Sequence, residues 1–295
     1  MNESRPRAGV AIDNVLFATD FSPATESAFS YAVAIAERYQ AKLYVVHVIN
    51  LESFDLLESE SARALIKKAH DVAGRKMTQL LEAMNLQRER YEVIVAEGAI
   101  SEALMEIIQL HHIDLVVLGT HGRRAFKKLL LGSVAEEVFR TASCPVLTVG
   151  PKTPPATAKS GLRHILYPME FAPDTSKAAK YAVSLAERYT ATLTVMNVRE
   201  NMPTSDSTPE EFPQPFKRWI NENVPQDSDL HNRIRFERGF GPAADSILDF
   251  VAKENVDLVV MSIRDLDPFM AAHLPTSDVT HQLVSRAPCP VLTIR

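Results

Sequence analysis

A chain of 295 residues has room for about two domains of ~150 residues each. Apolar residues make up 46 % and charged residues 23 %, so each half can bury a core, and the net charge of −5 argues against the basic field of a nucleic-acid binder. Two cysteines are too few for a disulfide framework or a zinc site, and no run reaches the ~18 apolar residues of a membrane span. Met1 to Ala11 carries charges without an apolar stretch and does not read as a signal peptide. The expectation is a reduced, cytoplasmic protein.

In chain order, Val15 to Thr19 is a short apolar strand. Asp20-Phe21-Ser22-Pro23 turns into a helix, with Ser22 expected as its N-cap and Pro23 at the first helical position. That helix runs to about Tyr39. Leu43 to Val48 is a β-branched strand, Glu58 to Met84 a long amphipathic helix, and Tyr91 to Ala96 a strand. Ser101 to His111 is a helix and Asp114 to Leu118 a strand. A glycine-containing loop follows, then a helix from near Gly132 and a last strand, Val146 to Val149. Strands alternate with helices, and the strands are continuous apolar runs. This pattern predicts a parallel sheet covered on both faces, wound in two directions.

The same order then repeats. Tyr31-Ala-Val-Ala-Ile-Ala-Glu-Arg-Tyr39 returns as Tyr181-Ala-Val-Ser-Leu-Ala-Glu-Arg-Tyr189. Asp114-Leu-Val-Val-Leu118 returns as Asp257-Leu-Val-Val-Met261, and Cys144-Pro-Val-Leu-Thr-Val149 as Cys289-Pro-Val-Leu-Thr-Ile294. A repeat of this length and order predicts a duplicated domain. Residues 1–150 are expected as the first copy, 151–161 (rich in Pro, Thr and Ala) as a linker, and 162–295 as the second copy. The fold class expected is α/β, with two tandem open five-stranded parallel sheets and helices on both faces.

In doubly wound sheets, ligands bind past the carboxyl ends of the strands. Two segments of the first copy fall there: the turn at Asp20, and the loop running Gly119-Thr-His121-Gly122-Arg123, then on to Gly132-Ser133. Glycine at a strand end lets a ligand approach the main chain, and a helix opening at Gly132-Ser133 offers free N–H groups and a positive dipole end to an anion. Each glycine alone is more simply a turn or a cap, but their joint placement points to a phosphate cradle. Arg123, Arg124, Lys127 and Lys128 lie in the same loop and are more simply a solvated face. There is no Gly-x-Gly-x-x-Gly after the first strand and no Gly-x4-Gly-Lys-[Ser/Thr], which disfavours dinucleotide and P-loop chemistry. His47, His111 and His112 lack metal-site surroundings and read as structural, and Trp219 as packing a helix on the sheet.

Gly-x2-Gly-x9-Gly-Ser, together with Leu16-Phe-Ala-Thr-Asp20-Phe-Ser, Val46-His-Val48 and Ser143-Cys-Pro-Val-Leu, resembles the universal stress protein family over nearly the whole chain. The resemblance implies a Rossmann-like sheet of the adenine nucleotide alpha hydrolase type. It also implies ATP binding, with Mg²⁺ between phosphate oxygens. Asp20 and Val48, with Ala18 beside them, would contact the adenosine. Gly119, Gly122, Gly132, Ser133 and the neighbouring Val134 would hold the phosphates, and His121 and Arg123 lie where they could reach them. Family domains commonly pair through the last strand, which implies intrachain pairing of the two copies and a homodimer.

The second copy departs from this pattern. Ser262 and Asp265 stand at the places of Gly119 and Gly122, Ser277 and Asp278 at those of Gly132 and Ser133, and Glu170 at that of Asp20. Bulk and negative charge there oppose phosphate, so ATP is expected in the first copy only. The leading expectation is a nucleotide-dependent regulatory or stress-response module. A slow ATPase or self-phosphorylating enzyme and a nucleotide-independent interaction scaffold are the alternatives. Asp20 is the one acid near the loop, so no general base is evident and catalysis is not the primary expectation.

Overall fold

The computed structural model describes residues 9–22, 24–51, 59–83, 87–120, 131–156, 161–169, 176–199, 214–263 and 279–295. The chain divides into two compact units, Ile12–Thr157 and Ala158–Arg295, the second joined by the chain's start, Met1–Ala11. The Val10 N–H donates to Ser184 Oγ at 2.9 Å within that second unit.

The first unit runs β1 (Asn14–Ala18), α1 (Ala24–Tyr39), β2 (Lys42–Ile49), α2 (Ser59–Ala83), β3 (Tyr91–Glu97), α3 (Ile100–Leu110), β4 (Leu115–Gly119), α4 (Ser133–Thr141) and β5 (Val146–Val149). Its strands lie in the order β3-β2-β1-β4-β5, every neighbouring pair parallel. The winding reverses beside β1, where β2 lies on one side and β4 on the other. β1, β2 and β4 are buried almost throughout, which is why they read as unbroken apolar runs rather than alternating ones.

Helices cover both faces. Phe17 of β1 meets Phe29 of α1 with ring centroids 5.1 Å apart, while Tyr44 of β2 meets His111, at the end of α3, at 4.7 Å. Phe17 pairs in register with Val45 and Leu16 with Tyr44, so these two contacts lie on opposite faces of the sheet. Phe17, Leu16, Leu43, Met77, Leu81 and Leu104 are fully buried in these two layers. Burying each such side chain contributes roughly 1.5–3 kcal/mol.

The second unit repeats the plan: β6 (His164–Pro168), α5 (Ser176–Tyr189), β7 (Thr192–Arg199), α6 (Gln214–Asn223), β8 (Ile234–Phe240), α7 (Ala243–Lys253), β9 (Leu258–Ser262), α8 (Val279–Arg286) and β10 (Val291–Ile294). Its parallel order is β8-β7-β6-β9-β10. Trp219 of α6 is buried and stacks on Tyr167 of β6 at 5.6 Å, the packing expected of it.

The duplication extends to backbone turns. Gln40 and Thr190 take left-handed φ values of 59° and 56° just past α1 and α5. In both places the chain closes a helix-ending turn, Ala41 N–H to Ala36 O at 2.9 Å and Ala191 N–H to Ala186 O at 2.8 Å. His112 and Asn255 repeat the device after α3 and α7, with φ of 49° and 50°. Neither copy uses glycine at these helix ends, so a glycine search for helix ends passes over them.

One local expectation is corrected. Ser22 does not cap α1 through its side chain. Its Oγ is buried and makes no hydrogen bond among the described residues, and the Thr25 N–H goes to the Ser22 carbonyl at 3.0 Å instead. The carboxylate of Asp20 takes the turn's free donor, accepting from Ser22 N–H at 2.9 Å.

Candidate functional site

The carboxyl ends of β2, β1 and β4 lie side by side, because Ala18 is in register with Val46 on one side and Leu118 on the other. Ala18, Asp20, Val48 and Gly119 therefore collect at one end of the first sheet, although the sequence separates the first and last by about a hundred residues. Val48 is 9 % exposed and Asp20 is half-buried. An apolar side chain and a carboxylate at the same end of the sheet supply an apolar seat and an acceptor for hydroxyl groups.

The turn after β1 is held from three directions. Thr19 N–H donates to Val46 O at 2.9 Å, prolonging the sheet by one bond beyond the strand. His47 Nδ1 lies 2.7 Å from the Thr19 carbonyl oxygen. A carbonyl only accepts, so the ring carries its proton on Nδ1. Thr19 Oγ1 accepts from Phe21 N–H at 3.0 Å, and Phe21 itself sits at a φ of 59°. A left-handed conformation is uncommon for a bulky residue, and here the packing holds it. The Phe21 ring lies 4.6 Å from the His47 ring, with Lys76 Nζ of α2 5.1 Å from its centroid. His47 is thus structural, as expected, and what it does is specific, since it fixes the carbonyl one residue before Asp20.

The other wall of the site forms where β4 ends. Thr120 N–H donates to Val149 O at 3.0 Å, and the Thr120 carbonyl accepts from Gly132 N–H at 2.7 Å. The two ends of the glycine loop are therefore joined by one hydrogen bond, and α4 begins beside the end of β4. Gly132 is the N-cap residue of α4, in an extended conformation, and Ser133 is the first helical residue. The first helical bond is Glu136 N–H to Gly132 O at 2.9 Å. The N–H groups of Ser133, Val134 and Ala135 therefore precede the ladder and face whatever lies ahead of the helix. This donor set suits an anion. Of the ten residues singled out from the sequence, seven are placed at this end of the sheet, while His121, Gly122 and Arg123 lie outside the described residues.

The second unit keeps the frame and changes the lining. Met169 N–H donates to Met196 O at 2.7 Å, as Thr19 does to Val46, and Ile263 N–H donates to Ile294 O at 2.7 Å, as Thr120 does to Val149. Asn197 Nδ2 donates to the Met169 carbonyl at 3.0 Å, doing with an amide what His47 does with an imidazole. Met196 takes the place of Val46. The extra length is accommodated because β8 carries Gly239 two residues beyond Glu237, the register partner of Met196: a Cβ there would lie 2.6 Å from Met196 Cε. Glu170, Asp265, Ser277 and Asp278 lie outside the described residues. Among the described residues no group of three or more His, Cys, Asp or Glu side chains could hold a metal ion, and no helix is long and apolar enough to cross a membrane.

Cys144 and Cys289 are set apart from this end of the sheets. Each precedes a final strand, and burial pushes each thiol up to about 12 from its ordinary range. They act as small apolar side chains.

Against known proteins, the model of the universal stress protein family matches this chain twice, over residues 11–150 and 161–295. A universal stress protein of Methanocaldococcus jannaschii is 30 % identical over 139 residues, which is 46 % of this chain and 80 % of that protein. Among solved structures, a universal stress protein from Archaeoglobus fulgidus superposes over 96 % of this chain and 98 % of its own with a TM-score of 0.72, at 19 % identity. That structure is similar in fold across both units.

Proposed function

Because the chain belongs to the universal stress protein family, carrying two copies of its domain, we propose that the first domain binds ATP and that the protein works as a nucleotide-dependent regulatory module. The adenosine would rest on Ala18, Asp20 and Val48. The phosphates would lie along Gly119, His121, Gly122, Arg123, Gly132, Ser133 and Val134. Mg²⁺ would arrive with the triphosphate and screen its charge.

The observation that best supports this reading is the Gly132 to Thr120 hydrogen bond. It brings the free N–H groups of α4 to the end of β4, the neighbour of β1, and Asp20 stands in the turn that follows β1. The apolar seat, the carboxylate and the anion-binding helix start then lie in the order in which a nucleotide presents base, sugar and phosphate. Binding without turnover is the activity such a lining supports, since Asp20 is the one acid near the loop in the sequence and this reading gives it to the adenosine. In the second domain Met169 and Met196 replace Thr19 and Val46, so ATP is assigned to the first domain alone. The same reading has the protein as a cytoplasmic homodimer, with domains at 1–150 and 162–295 joined by residues 151–161.

Isothermal titration with Mg-ATP tests it, beside Asp20→Ala and Gly122→Glu variants. Saturable binding near one site per chain, weakened roughly tenfold or more in both variants, is the expected result. Two sites per chain would overturn the assignment to one domain. Absence of heat with ATP, ADP and AMP alike would overturn the nucleotide reading, and light scattering on the same sample reads the number of chains.

A further inference from the structure

At the opposite end of the second sheet, below the amino ends of β6, β7 and β8, lies a cavity of about 130 Å³. Its floor is Thr194, 2 % exposed, with the His164 and Phe250 rings 6.1 Å apart beside it. Its rim carries Arg235 and Glu237 from β8 and Lys253 and Glu254 from the end of α7. Arg235 and Glu237 are two residues apart on one strand and so face the same way.

The first unit explains why the cavity exists. The repeat places Tyr44 where the second unit has Thr194: Leu16 pairs with Tyr44 and Leu166 with Thr194 at matching points of the register. In the first unit Tyr44 fills the space, buried against His111. Lys42 Nζ lies 4.8 Å from the Tyr44 centroid and pairs with Glu92 at 2.7 Å, so the charges there satisfy each other. In the second unit Thr192 replaces Lys42, Arg235 replaces Glu92, and Lys253 and Glu254 replace Leu110 and His111. The aromatic plug is gone. The four rim charges, two of each sign, make no ion pair among the described residues.

His164 Nδ1 lies 3.2 Å from the Glu254 carbonyl oxygen, and His164 Nε2 lies 2.8 Å from Thr194 Oγ1. The carbonyl only accepts, so Nδ1 carries the proton and Nε2 takes the hydrogen of Thr194. The lone pairs of Thr194 Oγ1 are then left to accept from a donor in the cavity.

We propose that this cavity is a binding site for a small zwitterionic α-amino acid. Its carboxylate lies on the Arg235 guanidinium and Lys253, its ammonium group between Glu237, Glu254 and the Thr194 hydroxyl, and its short side chain against Phe250. Both signs of charge on the rim are thereby met by one ligand, which neither a simple anion nor a simple amine achieves. The volume admits a molecule of several non-hydrogen atoms. This site belongs to the second domain and stands apart from the nucleotide reading of the first.

The test is a titration of the ¹⁵N-labelled full chain with L-alanine and L-serine, followed by amide chemical shifts, with propionate and ethylamine as single-charge controls. The expected result is saturable shifts centred on Ile234–Glu237 and the end of α7, with a Kd of about 1 mM. Each control should bind at least roughly tenfold more weakly, as should Arg235→Gln and Thr194→Tyr. The Thr194→Tyr variant restores the plug of the first unit. Circular dichroism checks that it folds, and Arg235→Gln, an exposed position, carries the test if it does not. No saturable shift with either amino acid, propionate binding as well as alanine, or binding unchanged in Arg235→Gln would each overturn the proposal.

Discussion

Asp114 Oδ2 accepts two backbone hydrogen bonds, from Asp13 N–H at 2.8 Å and Asn14 N–H at 2.9 Å, and so binds the start of β4 to the start of β1. Asp257 Oδ2 does the same for Arg163 and His164 at 2.8 and 2.9 Å. The two strands that flank the reversal of each sheet are thus fastened at their amino ends by one carboxylate. Asp114→Ala leaves two N–H groups without their charged acceptor and should lower stability by about 1–3 kcal/mol in chemical denaturation. Asp114→Asn keeps an acceptor oxygen and should lose less. A neutral Asp114→Ala would mean that water replaces the carboxylate without loss.

His47→Ala should cost about 1–2 kcal/mol, because the Thr19 carbonyl loses its donor in a half-buried place. The second unit shows which replacement is tolerated, since Asn197 reaches the equivalent carbonyl at 3.0 Å. His47→Asn should therefore retain most of the stability. It should also retain ATP affinity in the same titration where His47→Ala weakens it. Equal losses in the two variants would argue against the clamp.

Gly239→Ala should destabilise the second unit by about 1–3 kcal/mol, since the new methyl group would lie 2.6 Å from Met196 Cε and 3.0 Å from Val198 Cγ2. The first unit carries the compatible pair, Val46 and Ala96, at these places. Met196→Val combined with Gly239→Ala should recover much of the loss. A double-mutant cycle measures the coupling, and additive costs would show that the two positions do not share the space.

The cysteines set a pH limit. Burial holds both thiols up at about 12, so the folded chain keeps them protonated where the unfolded chain begins to ionise, near 9. Their contribution to stability is complete below pH 9 and is lost as the pH rises from 9 to about 12. Denaturation series at about pH 8, 9 and 10 should show stability falling above 9, by less in a Cys144→Ala, Cys289→Ala variant measured against its own value at the lowest pH. A thiol reagent at about pH 8 should react slowly with the native chain and rapidly in denaturant.

Much of this protein is legible in one dimension. Strand and helix positions follow from apolar runs, because a parallel sheet covered on both faces needs side chains buried on both sides. Only the ends move by a residue or two, as at β2, expected from Leu43 and observed from Lys42. Ser22 reads as the N-cap of α1 but does not serve as one, because the Thr25 N–H it would cap is taken by the Ser22 carbonyl at 3.0 Å, a choice of acceptor that residue types do not reveal. The part His47 plays is hidden in the sequence, since its partner is the carbonyl of Thr19, 28 residues away, and only strand pairing brings them together.

The sequence by itself determined the duplication, the alternation of strand and helix, the family, and the glycine loop that distinguishes the first copy. These are properties of local pattern and spacing, which survive without knowledge of what touches what. The tertiary structure decided which distant residues meet. It joined Gly132 to Thr120 and Asp114 to Asn14, matched Asn197 to the role of His47, and set Thr194 in the place of Tyr44 so that a cavity opens where the first copy is filled. Register is the physical reason: it fixes side-chain neighbours across strands, and it is set by packing of the whole sheet rather than by any one strand.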